Sequence, residues 1–138
     1  LPISGQQNSS YKFGNEYINL TSVTQGTWYT VADLSGDLCI YFANLLRKDD
    51  DAVAKQMSVR VTVDETWPVL SFNANNNAFY YICLDFADTA KHVSSTTSWL
   101  MFVCYTALFC NSFRLEVRWD GTVGSNPLLQ SCVKYSRR

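Results

Sequence analysis

The stretch Phe113-Arg114-Leu115-Glu116-Val117-Arg118-Trp119 decides the fold class. Four apolar residues alternate without a break against three charged ones. A period of two is that of a β-strand with one face in a core and the other toward water. Asp120-Gly121 then stops the run with turn residues. Working outward, the same period recurs over Met57–Val63, where Val59, Val61 and Val63 alternate with Ser58, Arg60 and Thr62. Thr27-Trp28-Tyr29-Thr30-Val31 is rich in β-formers, and Glu16–Val23 and Val69–Phe72 are strand-compatible. Phe79–Phe86 and Trp99–Phe109 are continuous apolar runs that read as strands buried on both faces.

Between these runs lie the breakers. Ser35-Gly36-Asp37 and Asn73-Ala74-Asn75-Asn76-Asn77 read as turns. Arg47-Lys48-Asp49-Asp50-Asp51 reads as an exposed loop, and Asp85–Thr97 as a polar connection. Leu38–Leu46 is the place for a short helix, because Leu38, Tyr41, Phe42 and Leu45 fall on one helical face and Asp37 stands where a cap would. Nothing alternates strands with helices, so a parallel sheet is excluded. The expectation is an all-β, antiparallel β-sandwich of jelly-roll type, with about eight strands and at most one short helix. It forms a single domain over 1–138, with a flexible N-terminal arm over 1–12 and an irregular C-terminal tail over 125–138 that Pro127 announces.

Composition narrows the function classes. The 138 residues are 47% hydrophobic and 14% aromatic, which suits one globular domain. Only 17% are charged and the net charge is −1, so the surface invites association and carries no overall basic footprint for nucleic acid. The longest apolar run, Trp99–Cys110, falls short of the roughly 20 residues a membrane helix needs. The cysteines Cys39, Cys83, Cys104, Cys110 and Cys132 are odd in number and lack CxxC or CxxH spacing. They read as mostly reduced core residues. The sequons at Asn8 and Asn19 favour secretion only by pattern.

No residue set announces catalysis. His92 is the only histidine, no GxSxG elbow exists, and the carboxylate pairs Asp64–Glu65, Asp85–Asp88 and Glu116–Asp120 are unselected by any motif. Asp49, Asp50 and Asp51 are candidate ligands for a structural calcium ion, since calcium takes several oxygens, although the spacing is not that of an EF-hand. No other cofactor is expected. Arg114 and Arg118 flank Glu116, a pattern that predicts a cross-strand ion pair.

The order of segments resembles the shell jelly roll of small icosahedral RNA-virus coat proteins. An opening strand like Glu16-Tyr17-Ile18, an alternating Ser58–Val63, a strand ending in acids like Phe79–Asp88 and a closing Phe113–Trp119 before Pro127-Leu128-Leu129 follow that pattern from Glu16 to Leu129. The size is similar to that of satellite-virus coat proteins. The resemblance implies a structural capsid protein that self-assembles in many copies into an icosahedral shell enclosing RNA, located in the virion. RNA contact would fall to Lys12, Arg47 and Lys48 and to a basic arm ahead of Leu1. Within the chain Lys12 is the only basic residue before Arg47, and a protruding domain of a larger coat protein would need no such arm. The alternative is a secreted or surface β-sandwich binding module for a protein or glycan, with Trp28, Tyr29 and Trp67 as contact aromatics.

Overall fold

The computed structural model describes residues 11–51, 54–66, 69–74, 79–84, 92–95 and 107–138. Nine strands run through them: β1 (Lys12–Leu20), β2 (Trp28–Lys48), β3 (Lys55–Val63), β4 (Glu65–Thr66), β5 (Leu70–Ala74), β6 (Phe79–Leu84), β7 (His92–Ser95), β8 (Leu108–Asp120) and β9 (Leu128–Arg137). Every pairing is antiparallel. The chain is all-β, and no helix occurs among the described residues, so none there is long and apolar enough to cross a membrane.

β2 organises the rest. Its first part pairs with β8, from Trp28↔Arg118 to Ile40↔Leu108. Its second part pairs with β9 on the other side and, from Asn44 to Lys48, with β6. The strand bends between Ser35 and Leu38, where the register shifts and Gly36 takes φ 118°, a value that favours glycine. One half of the sheet therefore runs β2–β8–β3 with β4 and β5, and the other runs β1–β9–β2–β6–β7. Side chains from both halves meet in one core: Val59, Leu115, Val117 and Trp119 from the first, Ile40, Leu45, Ile82, Leu129 and Val133 from the second. This is the packing of a sandwich.

The deciding stretch behaves as its period requires. Phe113, Leu115, Val117 and Trp119 are buried in β8, and Met57, Val59, Val61 and Val63 are buried in β3. Four expectations need correction. Leu38–Leu46 is strand, not helix. Leu38, Ile40, Ala43 and Leu45 enter the main core while Phe42 and Leu46 pack outside with Tyr81 and Cys83, so both faces are covered and the apolar run loses its period. Tyr41 is the extra residue of a bulge between Ile40 and Phe42. The stretch read as a C-terminal tail is β9, which lies between β1 and β2. Its inward face is Leu129, Ser131, Val133 and Tyr135. Ser131 interrupts the apolar pattern but is satisfied, because its hydroxyl donates to Asn44 O. The stretch read as an arm ends in structure, with Lys12 opening β1; residues 1–10 lie outside the described residues, as do 99–106 of the Trp99–Phe109 run. Residues 92–95 of the polar connection form β7 against β6.

Candidate interaction surface

The residues singled out at 47–51 are an exposed loop only in part: Lys48, Asp50 and Asp51 are exposed. Arg47 and Asp49 are fully buried, as is Lys55. The Arg47 guanidinium donates to the carbonyls of Gln56, Asp120 and Thr122, the last at 2.9 Å, and stacks on Trp119 at 3.8 Å. Asp49 pairs with Lys55 and stands 3.8 Å from Arg47. Burial pulls Arg47 down to about 10, against the pull of Asp49 and Asp120, so it remains charged at neutral pH.

The three aspartates fasten a turn. Gly124 N donates to Asp49 Oδ2 (3.1 Å), Ser125 N to Asp51 Oδ2 (3.0 Å) and Asn126 Nδ2 to Asp50 Oδ2 (2.7 Å). Each of the three acids thus receives a donor from a different residue of 124–126, with the order of the last two crossed. Among the described residues no group of three or more His, Cys, Asp or Glu side chains is placed to hold a metal ion. Nor do the three candidate RNA contacts converge. Lys12 lies level with Leu38 across β9, and Arg47 with Leu20, so they stand about 30 Å apart along the strands. Lys12 and Lys48 are exposed; Arg47 is sealed.

Burial pushes the thiols of Cys83, Cys110 and Cys132 up, the wrong direction for a nucleophile. Glu116 is held below its ordinary value by hydrogen bonds from Arg60, against a smaller opposing push from burial, which keeps it ionised. His92 sits in β7 opposite Leu84. Asp85, Asp88, Trp67 and Cys104 lie outside the described residues.

The outer surfaces of the two halves differ in kind. Over β8 and β3 the expected ion pair is present and larger than the sequence implied. Arg60 holds Glu116 through Nε (3.1 Å) and Nη2 (2.7 Å), Arg114 approaches it at 3.5 Å, and Arg118 pairs with Asp120 at 2.6 Å. Trp28 lies between Arg60 (4.4 Å) and Arg118 (4.7 Å), so this candidate contact aromatic is occupied by its own chain. Tyr29 packs on the core and its hydroxyl accepts from Thr24 N at 2.8 Å. This face is charged and paired, with Glu116 and Ser58 buried beneath half-exposed arginines.

Over β1, β9 and β2 the surface is aromatic. Register places Phe13 opposite Ser136, Ser136 opposite Cys39 and Cys39 opposite Phe109, one row across four strands and therefore on one face. The row ends in rings that stand in solvent, Phe13 at 81% and Phe109 at 77% exposure, about 14 Å apart at three strand spacings. Tyr41 bonds Ser136 Oγ at 2.8 Å and meets the Phe13 ring at 6.0 Å. Tyr17 follows Phe13 on the same side of β1 and is 66% exposed. Tyr11 lies just before it, accepting from Arg138 Nη1 at 3.0 Å. The exposed large hydrophobics among the described residues are these five aromatics and Val69. Tyr11, Phe13, Asn15, Tyr17 and Asn19 do alternate with Lys12, Gly14, Glu16 and Ile18 in the sequence, which was the signal available for this surface.

No family model matches the chain, and no curated protein matches it significantly. Two solved structures are similar in part. One is described as the structure of infectious bursal disease virus Gt strain, at 10% identity and TM-score 0.36, over 93% of this chain and 33% of that one. The other is that of the Gx strain, at 7% identity and TM-score 0.31, over 91% and 40%. The chain spans only those shares of their length, and similarity this coarse assigns nothing to individual residues.

Proposed function

We propose that this chain is a structural, non-enzymatic coat-type protein that associates with copies of itself through the aromatic face. One observation carries the reading: five solvent-exposed aromatic rings gather on one face of β1, β9, β2 and β8, while the opposite half is dressed in paired charges. Scattered apolar residues on a monomer need no explanation, but a gathered aromatic patch marks an interface. Aromatic residues are also those enriched where protein surfaces bury each other. Closed assembly into an icosahedral shell around RNA, and residence in a virion, extend this reading. In that extension Lys12 and Lys48 are the candidate RNA contacts, because Arg47 is committed to its own core.

A second reading, a binding module for a foreign protein or glycan, is favoured by a separate observation. Tyr17 stands on the same face as Asn15 and Asn19, with Gln130 bonded to Asn19 at 3.2 Å, a neutral set that suits a polar uncharged ligand. Light scattering with electron microscopy of the purified chain separates the two. Large closed particles support the coat reading; a monodisperse monomer removes it and leaves the binding module.

A further inference from the structure

The edge of the sheet at β1 is long, and among the described residues no strand covers it. β1 pairs with β9 over nine residues without a register shift, and among the described strands none pairs with its other side. Sheet edges in monomers are usually protected by proline, a bulge, short length or charged side chains. β1 has no proline and no bulge, and it exceeds the usual strand of about five or six residues. Its two charged residues, Lys12 and Glu16, have opposite sign and lie four apart, on the same side of the strand.

We propose that β1 pairs antiparallel with β1 of a second copy about a two-fold axis at Gly14, so that two sheets become one; this rests on the self-assembly reading above. The charges choose the register. An antiparallel pair puts residues of the same face opposite each other, so the axis falls on a residue. Centred on Gly14, Lys12 faces Glu16 of the partner subunit and Glu16 faces Lys12 of the partner subunit, giving two ion pairs, and Tyr11 faces Tyr17 of the partner subunit. Centred on Asn15, Lys12 faces an isoleucine. Centred on Glu16, the two carboxylates oppose each other, which is destabilising. A two-fold pairing of this kind is isologous, as in the common closed dimer. It also joins the aromatic faces of both copies into one strip around Phe13.

Charge exchange tests the register. Sedimentation equilibrium of the full chain is expected to show Lys12→Glu and Glu16→Lys each weakening self-association roughly ten-fold or more, since each places like charges opposite one another twice. The combined K12E/E16K variant is expected to restore it. Tyr135 Oη donates to Glu16 Oε1 at 3.3 Å, so Lys12→Glu is the cleaner single change. Backbone amides of β1 are expected to exchange hydrogen more slowly as concentration rises. Unchanged association in both single variants, or a combined variant as weak as they are, overturns the edge pairing while leaving self-assembly standing. A wild-type chain that stays monomeric removes both.

Discussion

Replacing Arg47 by methionine probes the feature that most separates this structure from a surface reading of its sequence. Met matches much of the stem but removes the guanidinium. Three carbonyls, of Gln56, Asp120 and Thr122, then lose a charged donor, and Trp119 loses a cation 3.8 Å from its ring centre. The buried Asp49 keeps Lys55 but loses its second cation. Removing one member of a buried ionic cluster costs about 3–5 kcal/mol, because the remaining groups stay desolvated. With a urea slope of about 2 kcal/mol/M, the midpoint should fall by about 1.5–2.5 M. Urea titration followed by tryptophan fluorescence measures it. Lys48→Met, one residue away but exposed, should change stability by no more than about 0.5 kcal/mol. A loss under about 1 kcal/mol at Arg47, or additivity with Asp49→Asn in a double-mutant cycle, would refute the claim that these charges act as one buried unit.

Acid should weaken the charged face first. Arg60 holds Glu116 below the ordinary 4.5, so its contribution is present above the unfolded value and is lost as pH falls through the lower folded one. Urea midpoints of wild type and Glu116→Gln should therefore differ at neutral pH and converge well below pH 4.5. Burial raises the thiols of Cys83, Cys110 and Cys132, so iodoacetamide should alkylate them far more slowly in the native protein than in urea, as read by mass spectrometry. Gly14 lies against the Tyr135 ring, where a methyl group would overlap ring atoms. Gly14→Ala should cost about 1–3 kcal/mol in the same urea assay unless Tyr135 gives way.

The strands that were legible in the sequence are those with one polar face. β8 and β3 announce themselves because charged or hydroxyl residues alternate with buried Val, Leu, Phe and Trp. β2 hides because its second part is covered on both faces, and a doubly buried strand has no period to read. β9 hides because Ser131 occupies a core-facing position whose hydroxyl donates to Asn44, a residue 87 positions away. The segment 47–51 is the sharpest reversal. Five charges in a row read as a solvated loop, which holds for Lys48, Asp50 and Asp51, yet the ends of β8 and β3 bring carbonyls to Arg47 and Lys55 to Asp49, which no local pattern encodes. The cross-strand pairing at Glu116 was local enough to foresee. The aromatic face was not, because Phe13, Tyr41 and Phe109 come from three distant segments that only the strand register gathers.

The central claim is that this aromatic face holds copies together, and the molar mass of a Phe13→Asp/Phe109→Asp variant tests it most directly. Both rings are mostly in solvent, so the variant should retain the wild-type circular dichroism and urea midpoint. Light scattering at matched concentration should then find wild type as a multi-copy assembly and the variant no larger than the pair of 15.7 kDa chains that the β1 edge would still join. A folded variant that assembles as fully as wild type would contradict the account.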